Sequence, residues 1–240
     1  MRVVMWSGPR NLSTALMRAF GERADTEVRD EPFYAAYLAA TGLRHPMRAA
    51  VIADGETDPR AVAASCAAEP AGRPVRYEKH MTHHMLPGWD LGWTEGARCA
   101  FLVRDPREVA ASYAARRTAF APEELGLPRQ VELFERVAER DGAAPPVIDA
   151  REVRRAPEAT LRGLCGALGL DFDPAMLRWP AGRRPTDGVW AAHWYGSVER
   201  STGFAPPDGA TPRLDPGLEA AMAPSVALYE RLRAFAIPAQ

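Results

Sequence analysis

Five short candidate strands, at residues 2–6, 26–29, 75–78, 99–103 and 146–149, of which 99–103 is a clean apolar run, alternate along the chain with segments of helical period. Each is the length of a strand buried on both faces, and the alternation predicts an α/β fold with a parallel sheet flanked by helices. Helices are expected over residues 11–22, where Leu12, Ala15, Leu16, Ala19 and Phe20 share a face, and over 61–68, 106–116, 123–140 and 218–235. An aromatic helix through Phe33, Tyr34 and Tyr37 should follow the second strand, and a helix over 157–168 should stop at Gly169. Residues 180–212, rich in Pro, Gly and Trp, read as irregular loop. With 240 residues and 47% hydrophobic content, a single domain over residues 1–240 is predicted.

A net charge of −1 offers no basic face for nucleic acid or a membrane, so any anion site must be local. The first residues lack a signal-peptide hydrophobic region, and no apolar run approaches the roughly 18 residues that span a bilayer. Cys66, Cys99 and Cys165 are odd in number and set among small or apolar residues, the pattern of buried thiols in a reducing cytoplasm. A cytoplasmic location and a small-molecule partner are expected; a homo-oligomer is compatible with the sequence and not specified by it. Lys79 is the only lysine.

Two segments place anion-binding chemistry at strand-helix junctions. In R-D-P-R-E-V-A-A-S-Y, residues 104–113, Asp105 is an N-cap candidate with Pro106 at the first helical position. Arg104 then sits at the carboxyl edge of the sheet, and Ser112, eight residues on, falls within about 80° of its direction on the helix. One anion would touch both; the competing reading is a structural corner in which Arg104 pairs with Glu108. In S-G-P-R-N-L-S-T, residues 7–14, a turn feeds a helix whose first amides face an anion. Arg10 brings a planar fork, and Ser13 and Thr14 add hydroxyls. A Walker A loop counted from Gly8 would need Gly at Ser13, Lys at Thr14 and Ser or Thr at Ala15, which disfavours a magnesium-dependent ATPase or kinase. The competing reading is a plain strand-turn-helix with a serine cap.

P-R-N-L-S-T, residues 9–14, resembles the P-K-S-G-T-T loop with which sulfotransferases hold the 5′-phosphosulfate of 3′-phosphoadenosine 5′-phosphosulfate (PAPS). Residues 104–113 resemble the family's R-N-P-K-D-V-A-V-S-Y segment, and R-R-P-T-D-G-V-W, residues 183–190, is similar to its R-K-G-x-x-G-D-W. The resemblance implies a P-loop-like sulfotransferase architecture with PAPS as donor and no metal. It implies donor binding by Pro9, Arg10, Asn11, Leu12, Ser13 and Thr14, by Arg104 and Ser112 at the 3′-phosphate, and by Arg183, Arg184, Gly188 and Trp190. Arg10 stands where the family has lysine, and Leu12 and Pro185 stand where it has glycine. V-I-D-A-R-E-V ahead of a helix ending in G-A-L-G-L is similar to the family's final strand and helix.

Y-E-K-H-M-T-H-H-M-L-P, residues 77–87, resembles the family's K-T-H-L-P-x-x-L-L-P. Sulfuryl transfer to an alcohol or amine needs a proton acceptor, and a histidine titrating near neutrality suits that task. Anchored on Leu86-Pro87, the register makes His80 the leading base; anchored on Lys79, it puts Met81 there. Glu31, after the second strand, is the rival base, because some sulfotransferase branches use a carboxylate there. Lys79 is expected to stabilise charge on the leaving phosphate, with Arg10 at the transferring group. His80, His83 and His84 without a carboxylate make a poor metal set. Phe33, Tyr34, Tyr37, Trp89, Trp93 and Trp194 are expected to line the acceptor pocket. Two other functions stay open: a non-catalytic protein that binds 3′-phosphoadenosine 5′-phosphate (PAP) or another nucleotide, and a variant P-loop nucleotide kinase or hydrolase.

Overall fold

The computed structural model describes residues 1–114, 122–207 and 209–238. Strand β1 (Arg2–Ser7) leads to α1 (Ser13–Gly21), and β2 (Thr26–Asp30) to α2 (Tyr34–Thr41), α3 (Arg48–Asp54) and α4 (Pro59–Ala67). Then come β3 (Val75–Met81), β4 (Arg98–Val103), α5 (Pro106–Ala114), α6 (Leu127–Asp141), β5 (Val147–Asp149), α7 (Ala150–Arg155) and α8 (Pro157–Leu168). Short helices α9 (Ala191–Trp194) and α10 (Gly196–Glu199) precede the closing α11 (Pro216–Arg233). The strands form one parallel sheet in the order β2-β3-β1-β4-β5. Sequence order reverses direction across the sheet at β1, the place where open α/β sheets hold ligands at their strands' carboxyl ends.

The chain forms two compact units, the first of Met1–Met5, Thr14–Cys99 and Asp173–Phe204, the second of Trp6–Ser13, Ala100–Phe172 and Ala205–Gln240. In the first, β2 pairs with β3 in a register that sets Asp30 beside Lys79, and Phe20 stacks on Tyr77 with ring centroids 4.2 Å apart. In the second, β4 pairs with β5, and Val109, Ala110, Leu125 and Met222 form a core that Tyr113, Leu214 and Leu218 cover. Pro106 opens α5 as expected, and Asp105 accepts from the Arg107 amide at 2.9 Å. Gly169 ends α8 in the left-handed conformation.

β3 runs three residues beyond the expected end. Its extension, Lys79, His80 and Met81, is wholly buried; the charged and polar side chains of Lys79 and His80 hide the strand from a hydrophobic pattern. α3 and α7 were not foreseen; α7 starts where the Asp149 carboxylate accepts from the Arg151 amide. α6 begins at Leu127 rather than residue 123, after a short 3-10 turn at Pro122–Leu125. Residues 180–212, expected as loop, include α9 and α10. The expected helix over 106–116 is seen through Ala114, and its last two residues lie outside the described set.

Candidate active site

The turn after β1, in the second unit, is held by backbone geometry that side chains ordinarily avoid. Arg10 and Leu12 both take positive φ, 62° and 73°, at a cost of roughly 1–2 kcal/mol per non-glycine residue. Leu12, standing where the resembled loop has glycine, thus keeps a glycine-like conformation. Gly8 is required on other grounds, since a Cβ there would lie 2.7 Å from the Leu125 carbonyl oxygen. The turn brings Arg10 Nε to Ser112 Oγ at 3.2 Å, while Arg104 donates through Nη1 to the Arg10 carbonyl at 2.8 Å. Arg104 Nε also donates to Glu108 Oε2 at 2.9 Å. Arg10, Ser112 and Arg104 therefore meet, and the Glu108 pairing of the competing reading coexists with that meeting. Asn11 and Ser13 are buried in the same turn, and Pro9 is half-buried.

In the first unit Lys79 is 1% exposed and caged. Its Nζ lies 2.8 Å from Asp30 Oδ1, 2.7 Å from Glu31 Oε1 and 3.3 Å from Thr14 Oγ1, and it also donates to the Tyr195 hydroxyl. Tyr195 in turn donates to Asp30 Oδ2 at 2.7 Å and accepts from Trp190 Nε1 at 3.2 Å. Two carboxylates thus share one ammonium. Burial pushes the Glu31 carboxyl above its usual range; Lys79 opposes this and Asp30 adds to it. Burial works against the Lys79 charge, but Asp30 and Glu31 outweigh it and hold the ammonium well above its ordinary range. Burial and Asp30 likewise raise the Tyr195 hydroxyl.

His80 does not join this cage. Successive residues of a strand point to opposite faces, so His80 turns with Arg76 and Glu78 away from Lys79. Its Nε2 lies 3.1 Å from Glu78 Oε2, and its ring is flanked by Phe33 and Trp93. Cys66, Glu78 and His80 bring possible ligand atoms within 4.8 Å of one another. A cation is opposed there by Arg76 Nε at 2.9 Å and Arg29 Nη1 at 3.4 Å from Glu78, and burial pushes the Cys66 thiol up to about 12.

The loop of residues 183–190 divides. Arg183 is exposed, whereas Arg184 pairs with Glu22 at 2.6 Å and its amide donates to Asp187. Asp187, buried, takes both Nη atoms of Arg18 at 2.6 and 2.7 Å, which anchors the loop to α1. Gly188 donates its amide to Asp30 Oδ2 at 3.4 Å, and the Trp190 ring packs over it. A Cβ on Gly188 would fall 2.2–2.3 Å from that ring. Gly188→Ala should therefore displace Trp190 from Tyr195 and lower stability by about 1–3 kcal/mol, readable as a drop in melting temperature.

The six aromatics expected around an acceptor split into two groups. Phe33, Trp89 and Trp93 line a cleft of about 640 Å³ whose other wall includes Ala63 and Ala64, with Arg60 also on it. Tyr34, Tyr37 and Trp194 instead surround histidines: the first two stack on His84, and Trp194 lies against His45. Sequence reading misses Asp30 and Tyr195 as members of the site, and it assigns His84 to the acceptor pocket or the surface, whereas His84 is buried. A buried lysine demands a carboxylate partner, a signal that could have found Asp30 beside Glu31 in D-E-P-F, but nothing local pointed to Tyr195.

The profile described as a sulfotransferase domain matches residues 1–236. Among curated proteins the chain is 41% identical over 204 residues to branched-chain-amino-acid aminotransferase-like protein 1 of Arabidopsis thaliana, covering 84% of this chain and 36% of that protein. It is 38% identical over 202 residues to protein 2 of the same name and organism, with the same coverage. The chain thus spans about a third of the length of these relatives. Among solved structures, a sulfotransferase from Alicyclobacillus acidocaldarius aligns with a TM-score of 0.57 at 14% identity, over 97% of this chain and 94% of that one. A sulfotransferase domain from the curacin biosynthetic pathway aligns with a TM-score of 0.51 at 16% identity, over 99% and 93%. These two likenesses are of fold.

Proposed function

The chain belongs to the sulfotransferase-domain family, and from that premise we propose that it moves a sulfuryl group from PAPS to a hydroxyl or amine of a small-molecule acceptor. The observation that carries the reading is the contact of Thr14, in the first turn of α1, with Lys79, which itself touches Glu31. One cage thus holds the Thr14 hydroxyl, a cation for the leaving group and a proton acceptor.

Donor recognition falls to the second unit. Two guanidinium groups and a hydroxyl on one patch suit a phosphate, which takes several charge-assisted hydrogen bonds at once. Arg10, Ser112 and Arg104 are assigned to it, with Glu108 orienting Arg104. PAPS supplies the activated sulfuryl group; the chain's residues position, neutralise and take a proton. Glu31 accepts the proton of the acceptor's hydroxyl or amine as its oxygen or nitrogen bonds to sulfur and the bond from sulfur to the leaving phosphate breaks. Lys79 offsets the charge gained by that phosphate, an effect strengthened by its burial. Glu31 is preferred to His80 because it shares the cage with Thr14 and Lys79.

The donor assignment is tested by thermal shift with PAP and with AMP as probes. A gain in melting temperature with PAP and none with AMP at the same concentration is expected, since only PAP carries the 3′-phosphate. Equal gains would contradict the assignment. In the kinetic counterpart, Arg104→Ala should raise the donor KM more than it lowers kcat, and a pure kcat loss would count against a ground-state role for Arg104.

A further inference from the structure

His84 is buried, 4% exposed, at the end of the 3-10 turn Thr82–His84 that follows β3. Its ring lies between Tyr34, stacked at 4.4 Å and 10°, and Tyr37, stacked at 4.8 Å and 27°. A ring so clamped has little freedom to rotate. Its Nδ1 has no hydrogen-bond partner, although a buried polar atom ordinarily finds one. Facing it is Glu31 Oε2, at 3.7 Å. Because Glu31 Oε1 is on Lys79, the two oxygens of this carboxylate have different neighbours: a cation at one and an imidazole nitrogen at the other.

We propose that His84 is the positioning residue for Glu31, its Nδ1 lone pair receiving the hydrogen on Oε2 when Glu31 takes the proton of the acceptor. The proposal rests on the sulfotransferase reading and extends it to a residue to which the sequence assigns no catalytic part. The proton ends on Glu31, shared with Nδ1, and His84 itself is neither protonated nor chemically changed. The 3.7 Å gap exceeds a hydrogen bond, and contacts of this kind commonly tighten only when the reacting partners are in place.

The groups that face His84 favour this arrangement. Lys79 and His80 from β3, His83 beside it in the turn and His45 beyond α2 all disfavour a second positive charge there, after burial, the largest influence. Tyr34 and Tyr37 from α2 contribute aromatic rings, and Glu31 faces His84 as an acid. A neutral imidazole accepting from a neutral carboxyl stabilises the protonated acid, which makes Glu31 a stronger base.

Two measurements test this. Nitrogen-15 NMR of the histidine-labelled protein, with His84 assigned by its loss in His84→Phe, should show a neutral ring protonated at Nε2, with an Nδ1 resonance that moves as Glu31 titrates. A ring protonated at Nδ1, or an Nδ1 resonance indifferent to Glu31→Gln, would overturn the proposal. This arm stands whether or not the protein transfers sulfate. In the kinetic arm, His84→Phe keeps an aromatic ring between the tyrosines while deleting Nδ1. The acidic limb of its pH-rate profile should move down by about half a pH unit or more. Its kcat should fall about tenfold, with the donor KM and the PAP thermal shift unchanged. A limb at the wild-type position would overturn the proposal, whereas a wild-type protein that transfers nothing would overturn the sulfotransferase reading and leave the NMR result to decide the role of His84.

Discussion

Lys79→Met should destabilise the protein by about 3–5 kcal/mol, the effect of removing one partner from a buried ionic cluster. At this chain length that is a fall in melting temperature of roughly 6–20 °C. The magnitude follows from what remains: Asp30 and Glu31, both buried, would face each other with no cation between them. The loss should depend on pH. Folding raises Glu31's pKa above 4.5, so its contribution to stability is fullest below 4.5 and declines as pH rises through the raised folded value. Without Lys79, which opposes the upward push of burial, the Glu31 carboxyl tightens further on its proton. The gap in melting temperature between variant and wild type should therefore be smaller near pH 5 than near pH 8. A gap under about 1 kcal/mol, the value of a surface pair, would mean that the cage is open to water.

Glu31→Gln should lower kcat by about 10²–10⁴-fold and leave the thermal shift with PAP intact, because the amide keeps the shape of the side chain and cannot accept the proton. The wild-type rate should rise with pH as Glu31 ionises. Burial places that limb above the usual carboxylate range, and the variant should lack it. His80→Phe, matched for ring packing against Phe33 and Trp93, should lose far less. The reverse ranking would restore His80 as the base and assign the cage around Lys79 a structural role.

The difference between those two candidates turns on strand parity. Read to Glu78, β3 leaves His80 in the loop beyond it, free to face any direction. In the structure the strand continues through Met81, and parity sends Lys79 and His80 to opposite faces. The extension was hidden because Lys79 and His80 are charged or polar, while the partners that let them be buried, Asp30, Glu31 and Tyr195 for one and Glu78 for the other, include groups remote in sequence.

The placing of Arg104 and Ser112 on one corner was legible for the converse reason, since the apolar run of β4 marks the strand end that Arg104 follows and Ser112 lies on the helix after it. Arg10, expected at the transferring group, was not expected to meet Ser112. Tyr195 was not legible: it lies 116 residues from Lys79, in a stretch where Pro, Gly and Trp obscure periodicity and short helices α9 and α10 leave little pattern. Leu12 shows a limit of another kind. A leucine gives no sequence signal for positive φ, yet the φ of Leu12 is 73°, held by surrounding structure at a local cost.

The central claim is sulfuryl transfer, and the most direct measurement of it uses PAPS labelled with sulfur-35, incubated with the protein and a metabolite extract as the source of acceptor. The account predicts label in a new small-molecule product, lost with Glu31→Gln and reduced with Arg104→Ala at limiting donor. Stabilisation by PAP with no label leaving PAPS under any acceptor mixture would contradict it, and would make the chain a nucleotide-binding protein of the sulfotransferase fold.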